Sequence, residues 1–284
     1  MNLIDRKGAN LISRANIFTT NYDLFIEKAS DELLRNSLNF IFNDGARGLT
    51  RRYLKISNFH TSTWHQGTND LYKFEIPTVN LIKMHGSVSW QKRSDDIIEV
   101  SYKNEFPPGL EIEIDNYDIE EIVTKIEDNS PFIACKEIID IASEDESKLK
   151  SFRQEYNKLA IVNPTKAKFE ETVFQQHYYQ SLRLLSYELE KPQTVLICFG
   201  FSFKDEHIRE IIHRSLSNPS LIVYVFCYKK ENKSEIKELI DNKKVIFISP
   251  DNDESDNIID LNRFIECIFS LDSMDATEGL SCSL

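Results

Sequence analysis

Apolar runs alternate with amphipathic segments at both ends of the chain. Near-continuous runs of Val, Ile, Leu and Phe predict buried strands, and apolar residues that recur every three or four positions predict helices. Strands of this kind separated by helices are typical of an α/β fold with a parallel sheet covered on both faces. The predicted strands are 15–20, 78–84, 158–162, 195–199, 221–227 and 245–248, and the predicted helices are 24–38, 167–190, 206–216, 233–242 and 258–271.

The middle of the chain has a different pattern. Residues 43–73 have weak periodicity and several glycines, which predicts loops and short elements over the sheet edge. Acidic residues dominate 95–150, where we predict a mainly helical insertion that serves as a cap or partner surface rather than as sheet. The predicted organisation is a first α/β part at 1–94, this acidic insertion at 95–150, a second α/β part at 151–271 and a frayed polar tail at 272–284.

Two of the predicted strands end in polar residues that could take part in catalysis. The strand 78–84 runs into a His-Gly turn, which brings the His85 imidazole to the edge where open α/β folds bind ligands. A neutral imidazole can accept a proton from water or a hydroxyl, and the Asn21 amide can orient either group. A parallel sheet can bring Asn21 and Asp23, after the first strand, to the same edge. The structural alternatives are a hydrogen-bonded framework role for His85 and a helix N-cap at Asn21 to Asp23.

A third strand runs into a turn that contains Gly200 and Ser202. Glycine lets backbone approach a phosphate closely, and a serine hydroxyl with free amide hydrogens can bind phosphate oxygens. The alternative is an ordinary tight turn between strand and helix, which also favours Gly and Ser. Asp205 is predicted to cap the helix that follows, and His207 to form a local hydrogen bond.

Charge argues against one class of function. The formal net charge of −12 argues against nucleic-acid binding by the chain as a whole, because phosphate binding requires clustered positive charge. A basic cluster at Arg47, Arg51, Arg52 and Lys55 is either a local patch or a solvated face. We therefore expect no direct binding to nucleic acid.

The five cysteines are scattered along the chain. They form no C-x-x-C pair, so the sequence predicts neither a zinc site nor a secreted disulfide framework. Cys198 and Cys227 lie within apolar strand runs and are predicted to be inert buried thiols. The N-terminus lacks an apolar targeting region, and no run approaches the ~20 apolar residues of a membrane span. These features predict a cytoplasmic protein without membrane association.

Three motifs in this order resemble the SIR2-like family: T-T-N-Y-D at 19–23, K-M-H-G-S at 83–87 and G-F-S-F-K-D-E-H-I at 200–208. Together with I-V-N-P-T-K-A-K-F-E at 161–170, they look like its bacterial branch linked to NAD+ depletion in anti-phage defence. The resemblance implies a Rossmann-like fold, NAD+ as the substrate and no metal. It also implies a homo-oligomer and, as with some relatives, a HerA-type ATPase as partner.

The resemblance implies a role for each matching residue. It implies Asn21, Asp23 and His85 as the catalytic residues on the nicotinamide side, with His85 as the general base. The implied reaction is hydrolysis of the bond between nicotinamide and ribose, which yields nicotinamide and ADP-ribose. The residues implied to bind NAD+ are Thr20, Gly86, Gly200, Ser202 and Phe203.

Two departures from the family pattern keep other interpretations open. Deacylase sirtuins carry zinc cysteines in two C-x-x-C pairs, which this chain lacks, so NAD-dependent protein deacylation is the weakest interpretation. Gly8 does not match the G-A-G-x-S turn with which the family opens. We expect either an upstream segment that supplies this turn or an incomplete site. An incomplete site would make the protein a catalytically silent nucleotide-binding or scaffold subunit of a defence complex.

Overall fold

A computed structural model describes residues 14–36, 40–68, 73–94, 97–102, 150, 153–154, 156–162, 172–250 and 258–270. The chain divides into two compact units, Met1–Tyr178 and Tyr179–Leu284. Each unit contains a three-stranded parallel sheet, which agrees with the predicted α/β, Rossmann-like class. Most of the acidic insertion and the whole C-terminal tail lie outside the described residues.

The first unit is rich in short strands. The helices that can be bounded within its described residues are α1 (Phe25–Arg35), a 3-10 helix (Ile56–His60) and the start of α2 (Thr172–Glu190), which crosses the boundary between the units. The strands of its described part are β1 (Arg14–Thr19), β2 (Ile41–Asn43), β3 (Ala46–Arg47), β4 (Arg52–Leu54), β5 (Trp64–His65), β6 (Phe74–Glu75), β7 (Thr78–Lys83), β8 (Gly86–Ser94), β9 (Ile97–Val100) and β10 (Leu159–Ile161).

The parallel sheet of the first unit has β7 in its centre, between β1 and β2. A row of three asparagines crosses it, because Asn80 of β7 is in register with Asn16 of β1 and Asn43 of β2. Asn80 Nδ2 donates to Asn16 Oδ1 at 2.7 Å, and Asn43 Nδ2 donates to Asn80 Oδ1 at 2.8 Å. This side-chain ladder specifies the strand register, since a slip by one residue would leave buried amides without partners.

An antiparallel sheet in the first unit, in the order β10-β8-β9-β4-β3, was not predicted. The chain continues from the His-Gly turn directly into β8, and β9 occupies the start of the segment expected to contain no sheet. Within β9, Ile98 and Val100 are buried whereas Ile97 is exposed, which is the alternation of a half-buried antiparallel strand. The predicted strand 158–162 is β10, and it pairs antiparallel with β8 rather than joining the parallel sheet.

Helix α1 confirms the predicted element but not the face that its spacing suggested. The spacing predicted that Phe25, Leu33 and Leu34 would be buried, yet they are 77%, 43% and 40% exposed. The buried residues of the helix are Glu27 and Ser30. Glu27 faces inward and forms an ion pair with a buried lysine of β7.

The second unit follows the predicted alternation of strands and helices. Its parallel sheet has the order β11-β12-β13, and the aliphatic residues Val223 and Val225 of the central strand are almost fully buried. One face of the edge strand β11 stays partly exposed, although the prediction covered both faces. The elements are β11 (Val195–Phe199), α3 (Glu206–Ser215), β12 (Ile222–Phe226), α4 (Lys230–Leu239), β13 (Val245–Ile248) and α5 (Leu261–Ser270).

Candidate functional site

The C-terminal ends of β1 and β7 lie side by side. The two strands are parallel and pair from Arg14 with Thr78 to Thr19 with Lys83. Beyond the last pair, the Met84 backbone N–H donates to the Thr19 carbonyl oxygen at 2.8 Å. The residues that follow each strand therefore meet at one edge of the sheet, which is the edge where open α/β sheets bind ligands.

Further hydrogen bonds join the segment after β1 to the turn after β7. The Val88 backbone N–H donates to the Tyr22 carbonyl oxygen at 3.1 Å. The Tyr22 hydroxyl donates to the Val162 carbonyl oxygen at 2.7 Å, and the Val162 N–H donates to the His85 carbonyl oxygen at 2.8 Å. Strands β8 and β10 thus hold Asn21 and His85 at the same edge, although the two residues are far apart in the chain.

The polar residues after β1 divide between local structure and solvent. Asn21 is exposed, and its backbone N–H donates to the Thr19 hydroxyl at 3.1 Å. Its side chain forms no hydrogen bond with another described residue, so the helix-cap alternative is wrong for Asn21. Asp23 is not the N-cap either, because that position is Leu24, which makes no side-chain cap hydrogen bond. Asp23 precedes the cap, and its Oδ1 accepts from the Phe25 N–H at 3.0 Å. Thr20 is half-buried beside them.

The His-Gly turn is shaped by tight packing against β10. His85 is half-buried, and its ring centroid lies 5.7 Å from that of the buried Tyr178. Gly86 has a φ of +93°, and a Cβ at this position would lie 2.0 Å from the Ala160 carbonyl oxygen. Only glycine fits here on both counts. Gly86 therefore has a structural role in the turn, whatever it contributes to binding.

A buried histidine behind this turn was not identified from the sequence. His177 of α2 is 7% exposed, its Nε2 lies 3.4 Å from the Lys83 carbonyl oxygen, and its ring meets the Trp90 ring edge-on at 4.8 Å. Burial lowers the pKa of His177 to about 4, and the hydrogen bond to the Lys83 carbonyl opposes that shift only in part. The ring is therefore neutral at physiological pH and supports the turn from inside. A lone histidine in a helical run gave no signal for this role.

Two charged residues at the same edge also went unrecognised. Lys83 ends β7 with its side chain 4% exposed, and its Nζ lies 3.0 Å from Glu27 Oε1. The ammonium group also donates to the Asp23 carbonyl oxygen. The available signal was a lysine at the end of an otherwise apolar run, because lysine is almost never buried unless it is paired.

In the second unit, the predicted phosphate-binding turn follows β11. Gly200 has a φ of +66°, and a Cβ there would meet no atom within 4 Å. Ser202 is exposed, whereas Phe203 is fully buried with a φ of 59°, a left-handed conformation that is uncommon outside glycine. Asp205 Oδ1 accepts from the Ile208 N–H at 3.1 Å, which confirms the predicted cap of α3.

Two residues of the basic cluster contact other parts of the first unit. Arg52 Nη2 forms an ion pair with Asp44 Oδ1 at 2.8 Å, and its guanidinium lies 5.6 Å from the centre of the Tyr102 ring. Arg47 donates to the Thr61 hydroxyl. These contacts engage two of the four basic side chains within the first unit.

The two thiols predicted to be inert are buried. Burial raises the pKa of Cys198 to about 12 and that of Cys227 to about 11, which keeps both protonated at neutral pH and confirms the prediction. Within the described ranges, no group of three or more His, Cys, Asp or Glu side chains is arranged to hold a metal ion. Of the helices in the same ranges, none combines the length and apolarity needed to cross a bilayer.

Comparison with known families agrees with the three strand-end motifs. A sequence model of the SIR2-like domain matches residues 15–248, which includes all three motifs and most of the chain. No curated protein matches the chain closely enough to serve as a relative. SIR2-like proteins are generally NAD+-utilising enzymes. With the match over most of its length, the chain belongs to the SIR2-like domain family.

Proposed function

We propose that the protein is an NAD+ hydrolase that cleaves the bond between nicotinamide and ribose. The observation that carries the proposal is the meeting of Asn21 and His85 at one sheet edge, where backbone hydrogen bonds join the segments that contain them. Asn21 is exposed and His85 is half-buried, so substrate can reach both side chains. The family assignment supports NAD+ as the substrate.

The reaction requires no acid on the leaving group. Nicotinamide departs from a pyridinium as a neutral molecule with the electron pair of the C1′–N bond, through a transition state that resembles the oxocarbenium ion of glycoside hydrolysis. Water adds at C1′ and gives up a proton, which His85 accepts as general base. The Asn21 amide orients the water or a ribose hydroxyl. Asp23 adds a negative charge at this edge, which favours the developing cation.

In the second unit, we propose the turn after β11 as a binding element. The exposed Ser202 hydroxyl and the open left-handed turn at Gly200 are suited to phosphate or ribose oxygens. Phe203 is fully buried, so any contribution to binding comes from its backbone. Thr20 and Gly86 are proposed to contact NAD+ beside the catalytic residues.

The wider role follows from the motifs. The form K-M-H-G-S-V-S-W and the G-F-S-F turn support placement in the branch that depletes NAD+ in bacterial anti-phage defence. In that role the protein is a cytoplasmic effector that works as a homo-oligomer, with a HerA-type ATPase as partner. Calorimetry with NAD+ and ADP-ribose separates this proposal from the scaffold alternative, because micromolar binding without turnover would favour a silent subunit. Release of nicotinamide only with an acyl-peptide would favour a deacylase.

An NAD+ consumption assay tests the catalytic assignment. We expect His85→Ala and Asn21→Ala each to lower turnover by roughly 10²- to 10⁴-fold, the usual effect of removing a general base or its positioning partner. Circular dichroism should show that both variants remain folded. His60→Ala and Asn262→Ala alter an exposed histidine and an exposed asparagine elsewhere and serve as matched controls. Parental turnover in both site variants would refute the assignment.

A further inference from the structure

The buried ammonium group of Lys83 has two partners at the proposed catalytic edge. Its Nζ lies 3.0 Å from Glu27 Oε1 and also donates to the Asp23 carbonyl oxygen. The Lys83 side chain is 4% exposed and that of Glu27 is 9% exposed, so the pair is shielded from water. It joins the end of β7 both to α1 and to the segment that precedes α1.

This ion pair is a poor source of stability. Removing two charges from water costs free energy, and their attraction offsets that cost only where the remaining polar atoms also find partners. Glu27 Oε2 is buried and has no hydrogen-bond partner among the described residues. Burial raises the pKa of Glu27, and the Lys83 ammonium group opposes this rise only in part. An apolar pair of similar volume would stabilise the fold at least as well.

The ion pair instead bears on the geometry of residues 20–23. Lys83 holds the Asp23 carbonyl oxygen, and the Val88 N–H holds the preceding carbonyl oxygen, that of Tyr22, at 3.1 Å. Two successive carbonyl groups are therefore held by residues that flank the His-Gly turn on either side. Without the ammonium group, only the second of these anchors remains.

We propose that Lys83 is a positioning residue that fixes residues 20–23 relative to His85, an inference that rests on the proposed NAD+ hydrolysis. Lys83 acts through the Asp23 carbonyl oxygen and does not contact the reacting atoms. Without the Lys83 ammonium group, residues 20–23 are no longer held in their position relative to His85. A misplacement of about 1 Å costs roughly 100-fold in rate.

Two variants separate positioning from stability. The double variant Lys83→Met/Glu27→Leu removes both charges together, so we expect thermal unfolding close to that of the parent. Its kcat should fall about 100-fold, with a smaller change in KM, because the lost interaction acts mainly in the transition state. Glu27→Gln keeps the Lys83 donor to Asp23 but leaves a buried ammonium group without its counter-ion. This variant should unfold at a lower temperature yet retain most of the parental kcat. If Lys83 had only a structural role, the less stable Glu27→Gln variant would have the lower kcat of the two.

Amide hydrogen exchange provides a measurement that requires no turnover. The Asn21 amide is held by the Thr19 hydroxyl and the Phe25 amide by the Asp23 carboxylate, so protection of these amides reports the order of the segment. We expect both amides to exchange faster in Lys83→Met/Glu27→Leu than in the parent and in Glu27→Gln.

Arg52→Met is the matched control. It breaks the ion pair with Asp44 in the same unit without touching residues 20–23, and it should leave their exchange and kcat unchanged. Parental exchange at Asn21 and Phe25 in the double variant would overturn the positioning role, as would parental kcat in an active enzyme. If the parent does not consume NAD+, the proposed function fails, and the exchange rates still decide the role of Lys83.

Discussion

The central strands of the two parallel sheets contact their neighbouring strands through different kinds of side chain. The central strand of the first unit contains Asn80, whose amide bridges both neighbouring strands, whereas the central strand of the second unit is aliphatic at Val223 and Val225. Each sheet ends in a polar turn with a left-handed glycine, Gly86 or Gly200. The turn at Gly86 contacts strands that are distant in sequence, whereas the turn at Gly200 contacts residues close to it in sequence. Long-range contacts therefore control the geometry of the proposed catalytic edge, and local ones control the proposed phosphate turn.

The largest expected difference concerns the two glycines. Gly86→Ala should lower the free energy of unfolding by about 3 kcal/mol or more, because strain from the left-handed conformation adds to a clash with the Ala160 carbonyl oxygen. A Cβ at Gly200 would meet no atom within 4 Å, so Gly200→Ala should lower the free energy of unfolding only by the conformational strain, about 1–2 kcal/mol. Both tryptophans, Trp64 and Trp90, lie in the first unit, so their fluorescence during urea denaturation follows that unit.

Circular dichroism during the same denaturation reports the second unit as well, which lets the two glycine variants be compared. Equal stability losses in the two variants would show that the packing of β10 against the His-Gly turn is unimportant.

An intermediate effect is expected for the asparagine row. Asn80→Val should destabilise the first unit by about 2–3 kcal/mol, because Asn16 Oδ1 and the Phe59 carbonyl oxygen lose a buried donor. When Asn16 is already valine, Asn80→Val should lower the free energy of unfolding by less, because the Asn16 oxygen that would lose its donor is no longer present. Tryptophan fluorescence measures both effects. Strict additivity of the two substitutions would contradict the ladder as a coupled unit.

The smallest effect on stability is expected for two aspartates at helix starts, Asp205 at the N-cap of α3 and Asp23 just before α1. Asp205→Ala should cost about 1 kcal/mol, because the Ile208 N–H loses its partner at the start of α3. NAD+ turnover should stay at the parental level. Asp23→Ala removes a comparable local hydrogen bond, to the Phe25 N–H, and should cost a similar amount of stability. Because Asp23 is proposed to act in catalysis, its variant should also lose turnover. Equal activity of the two variants would remove Asp23 from the proposed site.

The elements of the second unit were predictable because each depends on residues close together in sequence. Apolar runs identified β11, β12 and β13, and the position of Asp205 before a helical run identified the cap of α3. The positive φ of Phe203 was not predictable, since a large apolar residue gives no signal for a left-handed conformation.

The first unit was harder to predict for physical reasons. Spacing correctly predicted helix α1, but Phe25, Leu33 and Leu34 are exposed, and Glu27 is buried in an ion pair with Lys83. The antiparallel sheet went unpredicted because β8 is rich in polar residues and β9 is only four residues long. The other neighbour of β8 is β10, about 70 positions further along the chain.

The sequence by itself determined the α/β class, the family motifs and the expectation that Asn21 and His85 reach one sheet edge. Such features depend on short-range periodicity and on the general rule that parallel strands end together. Only the tertiary structure decided which groups hold that edge in place, among them the buried ammonium group of Lys83. Burial and partner choice depend on residues brought together from distant parts of the chain, and no local pattern specifies them.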